Sequence, residues 1–535
     1  MQKIPQKAVQ KLYKSAVFIF RRDMRLDDNT GLIHALAHSL KVYPCFIFDP
    51  RQIHASKNDY FSHSCVQFMS ESLRDLDYSI KQITPSGLNC IYGAYPGIIE
   101  DLVKATDAEL LVVNGDYTKF SKTRDKQIEE VCNELGIDFK SFEDITLVTK
   151  EQAMTGREVG DFHQKYTPFY NSVKHFEIPK PQQCEFENFS KEKINLPKKN
   201  IIDDFGEQFF EKSDSLELKG GRREALKILK KFKRMKEYPK IRNSNTKHKG
   251  ASMLSPYNKF GCLSIREIYW TTKIKCKDKA EPFIKQLFWR DFFYFISEFY
   301  PEIWENSRPL KPRFQKLKWW TDKELFEAWK EGRTGCPIVD AAMRKMNKTG
   351  WMTNRNRLIV SNYLIKDLHI NWTWGEKYFA QKLIDYDPAQ NNGGWQWSAG
   401  CGVDTQPYFR IFNPRLQSIK FDYTCEFIKE WVPELEGVRN EDIHEWEKRW
   451  EDYEGEVDYP KPFVYHDEEK KRSIRMYLDG LGMEDEAEYK RWNAGYNRSR
   501  TERFQKKNGT YVEGGAGNGN GGNKNNRRRK KRRNR

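Results

Sequence analysis

Three short apolar runs near the N-terminus constrain the fold most: Ala16-Val17-Phe18-Ile19-Phe20, Val42-Tyr43-Pro44-Cys45-Phe46-Ile47-Phe48 and Glu109-Leu110-Leu111-Val112-Val113-Asn114. They lack the apolar–polar alternation of a strand with one wet face, so they read as strands covered on both sides. Segments with helical spacing, such as Gly31 to Leu40 and Lys122 to Leu135, lie between them. Strand and helix in alternation predict an α/β, doubly wound parallel sheet, here over residues 1–145. No Gly-x-Gly-x-x-Gly follows the first run, so a nicotinamide dinucleotide site has little support there.

The chain has 535 residues, more than one hydrophobic core usually supports. Residues 146–220 are irregular and Lys-rich, with Pro179, Pro181 and Pro197, and read as a surface connector between domains. From residue 221 to 497 the pattern turns helical: Pro337 suits a first turn, and Ile338, Ala341, Ala342 and Lys345 follow at helical spacing. This predicts a larger all-α domain. Residues 498–535 hold a Gly/Asn-rich stretch and the basic run Arg527–Arg533, without the apolar content to fold, and read as a disordered tail.

The formal charge is +17, but fourteen Lys/Arg and two Glu lie from Arg498 onward, so the tail holds +12 and the body only +5. Nucleic-acid binding must therefore rest on placed residues rather than on net charge. The ten cysteines form no Cys-x-x-Cys or zinc-type cluster, which argues against a disulfide scaffold or a thiolate metal site. The apolar run Ala16–Phe20 ends in Arg21-Arg22-Asp23, too short for a signal peptide, and no membrane-length span appears elsewhere. A soluble, intracellular protein is expected, and the Arg527–Arg533 run could act as a nuclear address.

Three later runs concentrate unusual chemistry: Gly350-Trp351-Met352-Thr353-Asn354-Arg355-Asn356-Arg357, Asn391-Asn392-Gly393-Gly394-Trp395-Gln396-Trp397, and Gln406 through Pro414. Amides, a diglycine and indoles stand together where a planar redox cofactor could meet a base; the alternative is aromatic core packing at a glycine turn. Ser255-Pro256 and Ser264-x-x-Glu267 read as helix starts, the second a capping box, and a helix start also offers N–H groups to an anion. Asp385 and Asp387 lack the further ligands a metal would need.

These runs, together with Gly335–Met343 and Phe20–Asn29, resemble the photolyase/cryptochrome family over about residues 15–480, and most nearly its class I cyclobutane pyrimidine dimer photolyases. The resemblance implies noncovalent FAD, damaged DNA containing pyrimidine dimers as partner, a monomer, and light-driven repair. It implies flavin contacts from Tyr238, Ser252, Leu254, Ser255, Asn354, Arg357, Asp385, Asp387 and Asn391, with Arg357 paired to Asp385. Asn391 would face the flavin N5, where an amide can accept a hydrogen bond without adding charge. Trp319, Trp372 and Trp395 match the electron-transfer triad, with Trp374 or Trp320 as branches; each taken singly also suits a core. Gln286, Trp289, Arg290, Asn354, Arg355, Leu358, Trp397, Arg242 and Arg410 match lesion- and DNA-facing positions, whereas any one of the arginines could equally be a solvated surface group.

Several residues depart from the family pattern. Ala251 replaces a hydroxyl in the diphosphate run, and one residue is inserted between that run and Tyr238. Gln286 replaces a Glu, and Leu358 a Met. Thr353-Asn354 stands where (6-4) photolyases have a His pair, which argues against (6-4) repair. Ser121 replaces the Glu that binds a folate antenna, so folate is unsupported and a deazaflavin or no antenna stays open. The rival reading is a cryptochrome-type flavin photoreceptor that signals through the C-terminal tail.

Overall fold

In the computed structural model of the protein, residues 12–158, 160–243, 251–304 and 308–482 are described. The tail 498–535 and its basic run lie outside them. All five strands run parallel, in the order β3-β2-β1-β4-β5. β1 (Tyr13–Phe20) lies between β2 (Ser39–Phe48) and β4 (Leu110–Asn114), which are the three expected strands. β3 (Asn89–Tyr92) and β5 (Asp138–Phe142) were not legible in the sequence: one has four residues, and the other is a half-exposed edge strand carrying Asp138, Lys140 and Ser141.

Both sheet faces are covered, as the continuous apolar runs require. Val17, Ile19, Cys45, Ile47, Leu111 and Val113 pack on one side. Ala16, Phe18, Phe20, Val42, Leu110 and Val112 pack on the other, within a core that continues through Phe288, Phe292 and Phe295 of the helical region. The described residues up to Gly480 accordingly form one compact unit.

The stretch 146–220 differs from the surface connector expected. Phe162, Tyr166, Phe169 and Val173 are buried, and the Tyr166 hydroxyl donates to the carbonyl of Lys285 at 2.7 Å. Its prolines and lysines hide these widely spaced aromatics from any periodicity test.

The helical region contains, among others, helices Glu281–Phe299, Lys323–Glu331, Pro337–Thr349, Asn354–Lys366, Trp372–Lys382, Pro388–Ala399 and His466–Leu481. Pro337 opens its helix as expected, and Gly350, at φ +68°, closes it in the left-handed conformation that glycine tolerates. No described helix is long and apolar enough to cross a membrane. All ten cysteines are free thiols, and no cluster of three or more metal-ligating side chains occurs among the described residues.

Candidate functional site

Four contacts gather the sequence runs into one place. The Trp351 indole N–H donates to the Ser255 hydroxyl at 3.3 Å, joining segments 96 residues apart. Arg355 reaches the side-chain oxygen of Asn243 at 3.3 Å, beside the Tyr238–Arg242 turn. Arg357 pairs with both oxygens of Asp385 at 2.9 and 2.7 Å. The Asn391 amide donates to the backbone carbonyl and to the carboxylate of Glu376, each at 2.9 Å.

The Ser252–Ser255 turn differs in detail from its sequence reading. Ser255 is the first helical residue and Leu254 the cap, while the Ser252 hydroxyl accepts from the Leu254 N–H at 3.4 Å. Met253 sits at φ +62°, a strained conformation of the kind that clusters at ligand clamps. Ser264 does cap its helix, but the Glu267 carboxylate bonds Arg222 at 2.8 Å, so a charged partner displaces the second half of the capping box.

On the Pro388–Ala399 helix, Asn391, Gly394 and Trp397 follow at three-residue steps and share a face. A Cβ on Gly394 would meet nothing within 4 Å, so this face borders open space. Asn391 spends its N–H donors on Glu376, and its side-chain oxygen has no hydrogen-bond partner among the described residues. Hydroxyls, a buried Arg–carboxylate pair, an oriented amide oxygen and an open glycine suit the diphosphate and the polar ring edge of FAD. Asn354, exposed, opens the next helix, where the Thr353 hydroxyl accepts from the Asn356 N–H.

Asp387 faces the other way. Its carboxylate pairs with Arg22, accepts from the Tyr294 hydroxyl at 2.5 Å, and caps the helix through the Gln390 N–H at 3.0 Å. Burial opposes its charge, but Arg22 and Lys259 outweigh that cost and hold the carboxyl at about 2. This side chain ties the helical region to the sheet.

Around the expected lesion side, Trp289 stacks on Tyr166 with ring centroids 3.9 Å apart and planes 9° from parallel, a rigid backing for one indole face. Trp397 and Leu358 are half-buried, and the nearest acceptor to the Gln286 amide is the Pro282 carbonyl at 3.5 Å. Three arginines converge: Arg242 and Arg410 are exposed, and both lower the pKa of half-buried Arg355 beyond the effect of its own desolvation. No ion pair to a described carboxylate offsets this repulsion.

Arg290 departs from the expected DNA-facing rim. Its guanidinium donates to the Ile145 carbonyl at 2.6 Å and lies 4.6 Å from the Tyr294 ring centroid. Helical geometry is the reason: 290 shares a face with 294, toward the sheet, whereas 286, 289 and 293 share another.

Trp372 and Trp395 are buried and Trp319 half-buried. Trp319 meets Tyr477 edge-on at 6.1 Å. A Cβ on Gly375 would fall 2.1 Å from the Trp395 ring, so only glycine there leaves room for this indole.

Ser121, the position that the family resemblance ties to an antenna, lies in a second site whose other residues the sequence did not point to. A cavity of 730 Å³ lies past the carboxyl ends of β1, β2 and β4, lined by Phe48, Arg51, Phe61, Phe120, Ser121 and Arg124 among others. That is where an open α/β sheet binds ligands, beside the point at which the strand order reverses. For those other residues the available signal was topological rather than a motif.

Comparisons with known proteins give the family. Residues 16–185 match the family model described as DNA photolyase, and residues 283–479 the one described as FAD binding domain of DNA photolyase. The deoxyribodipyrimidine photo-lyase of Vibrio cholerae serotype O1 is 34% identical over 480 residues, covering 86% of this chain and 99% of the relative. An archaeal photolyase from Sulfolobus tokodaii, solved with two FAD molecules, is 38% identical with a TM-score of 0.75, over 87% of this chain and 100% of that one. A Synechocystis cryptochrome is 27% identical with a TM-score of 0.76, over 86% and 99%. The chain belongs to the DNA photolyase family and carries its FAD-binding domain.

Proposed function

We propose that this protein is a light-driven lyase that repairs cyclobutane pyrimidine dimers in DNA. The observation that carries this reading is the Asn391 amide, whose nitrogen is held by Glu376 while its oxygen has no hydrogen-bond partner among the described residues. When bound and reduced, FAD supplies light-driven electron donation to the dimer. The protein's part is to bind, orient and exclude water. Asn391 accepts a hydrogen bond without adding a charge, while Arg357 and Asp385 fix the polar edge of the pocket. A dimer is poorly stacked and paired, so extruding it costs less than the few kcal/mol for a normal base. Stacking on Trp289 and Trp397 is worth about 1–3 kcal/mol per base. Arg242, Arg355 and Arg410 hold phosphates without reading sequence. Illuminating the reduced protein with dimer-containing DNA should remove dimers as photons are absorbed. An unchanged dimer count would instead favour the cryptochrome-type photoreceptor, for which the Synechocystis likeness speaks.

The 730 Å³ cavity fits an antenna that is aromatic and bears phosphate: Phe48, Phe61 and Phe120 offer ring contacts, and Arg124 has a buried Nη2 with no acceptor among the described residues. A second FAD has both features and a deazaflavin the aromatic ring, and the Sulfolobus tokodaii structure holds two FAD molecules. Mass spectrometry of the chromophores released from purified protein separates these from folate; finding no second chromophore would leave the cavity without this role. The same reading makes the protein an intracellular monomer, with the Arg527–Arg533 run a candidate nuclear address.

A further inference from the structure

Trp395 touches a second aromatic series that is separate from Trp372 and Trp319. Its ring lies 6.1 Å from that of Trp329, and Phe379 sits against both, 5.0 Å from Trp395 and nearly parallel to Trp329. Trp329 is fully buried and donates its indole N–H to the Val360 carbonyl at 3.0 Å. Tyr378 follows, 5.9 Å from Trp329 between ring centroids. Its hydroxyl donates to the Asn347 side-chain oxygen at 2.7 Å, and its ring lines a surface groove of 470 Å³ with Tyr60, Phe326 and Trp374.

We infer that Trp329 and Tyr378 form a second electron route into Trp395, ending at a surface tyrosine rather than at Trp319. The inference rests on the FAD reading, because the oxidant is light-excited, oxidised flavin. Trp395 gives up one electron, Trp329 refills Trp395, and Tyr378 refills Trp329 while losing its phenolic proton to groove water. The phenoxyl then takes a hydrogen atom from an external thiol, restoring Tyr378 and leaving a thiyl radical.

Two features select Tyr378 as the terminus. Trp374 is reached from Trp329 only across Phe326, 5.9 and then 5.1 Å, and a phenyl ring is hard to oxidise. The Lys330 and Lys382 ammonium groups stand 5.5 and 5.6 Å from the Tyr378 ring. Lys330 is itself paired with Glu327 at 2.7 Å, and burial with Glu327 and Glu331 keeps the resting phenol protonated; once oxidised, a phenol is strongly acidic and gives up its proton, so the neutral tyrosyl radical is the end state.

The test uses flavin-loaded, oxidised protein without DNA, illuminated and followed by electron paramagnetic resonance. Trp372→Phe severs the route through Trp319, so it also removes any contribution from Tyr477 beyond it. A tyrosyl signal is expected in Trp372→Phe, absent from Trp372→Phe/Tyr378→Phe and from Trp372→Phe/Trp329→Phe. Trp372→Phe/Tyr378→Trp should show a tryptophanyl signal instead, which keeps the test decisive if one variant fails to fold. The inference fails if Trp372→Phe gives no tyrosyl signal, or if that signal survives loss of Tyr378 or Trp329. Flavin absorbance is read separately: parent protein that takes up no FAD would overturn the cofactor reading, not this route alone.

Discussion

The side-chain amide of Asn391 makes two hydrogen bonds to one residue, Glu376, bonding both its backbone carbonyl and its carboxylate at 2.9 Å. One buried acid thereby sets the orientation of the amide. Asn391→Asp removes both donors and brings a second carboxylate against the first in a site of low dielectric, where like charges repel strongly. The variant should bind FAD but accumulate less of its fully reduced, anionic form under light with an external reductant, as read by visible absorbance. Parent-like accumulation would remove Asn391 from this role.

Glu376 also predicts a pH dependence of stability. Burial raises its carboxyl from 4.5 to about 7, with the Asn391 and Tyr60 hydrogen bonds opposing the shift. The folded state therefore keeps a proton that the unfolded chain has released. This contribution is complete below pH 4.5 and is lost as pH rises through 7, an effect of up to roughly 3 kcal/mol. Glu376→Gln removes the titration while retaining an acceptor for Asn391. Urea unfolding of the two proteins should diverge in slope against pH across that window, and parallel curves would refute the shift.

Gly375→Ala places a methyl 2.1 Å from the Trp395 ring and 2.6 Å from Leu364. Overpacking of this kind costs about 1–3 kcal/mol. The thermal midpoint should fall and flavin photoreduction should slow together, because the indole must shift. An unchanged midpoint would show that the core yields there.

Arg355, Arg410 and Arg290 should separate into two classes. Arg355→Ala and Arg410→Ala should each reduce the salt-dependence slope of binding to undamaged DNA by about 1. Arg290→Ala should leave that slope alone and cost stability, about 1.5–3 kcal/mol for the lost charged hydrogen bond to Ile145. Equal slopes for all three variants would contradict the division.

Gln286 does not titrate. Gln286→Glu should bring a pH dependence to repair yield between about pH 5 and 8, since half-burial beside a stacked dimer raises a carboxyl pKa. A flat profile with parental yield would uncouple this position from the chemistry.

Local pattern alone settled much of this protein. The runs at 16–20, 42–48 and 109–114 specify strands covered on both faces, because a short uninterrupted apolar run shows within a few residues that neither face is left to water. The Gly350–Arg357 and Asn391–Trp397 runs stand out in the same way, while the Arg357–Asp385 pair, which the structure contains, was implied by the family resemblance rather than by pattern. Only the tertiary structure decided where side chains with two choices would go. Asp387 turned to Arg22, 365 residues away in sequence, and Arg290 turned to Ile145, 145 residues away. Glu376, the partner that orients Asn391, carries no motif of its own, and the cavity past the strand ends is assembled from residues 20 to 388. Such pairings follow from which buried charge finds a partner once helix and sheet close on each other. That is a property of distance in space, which periodicity along the chain does not encode.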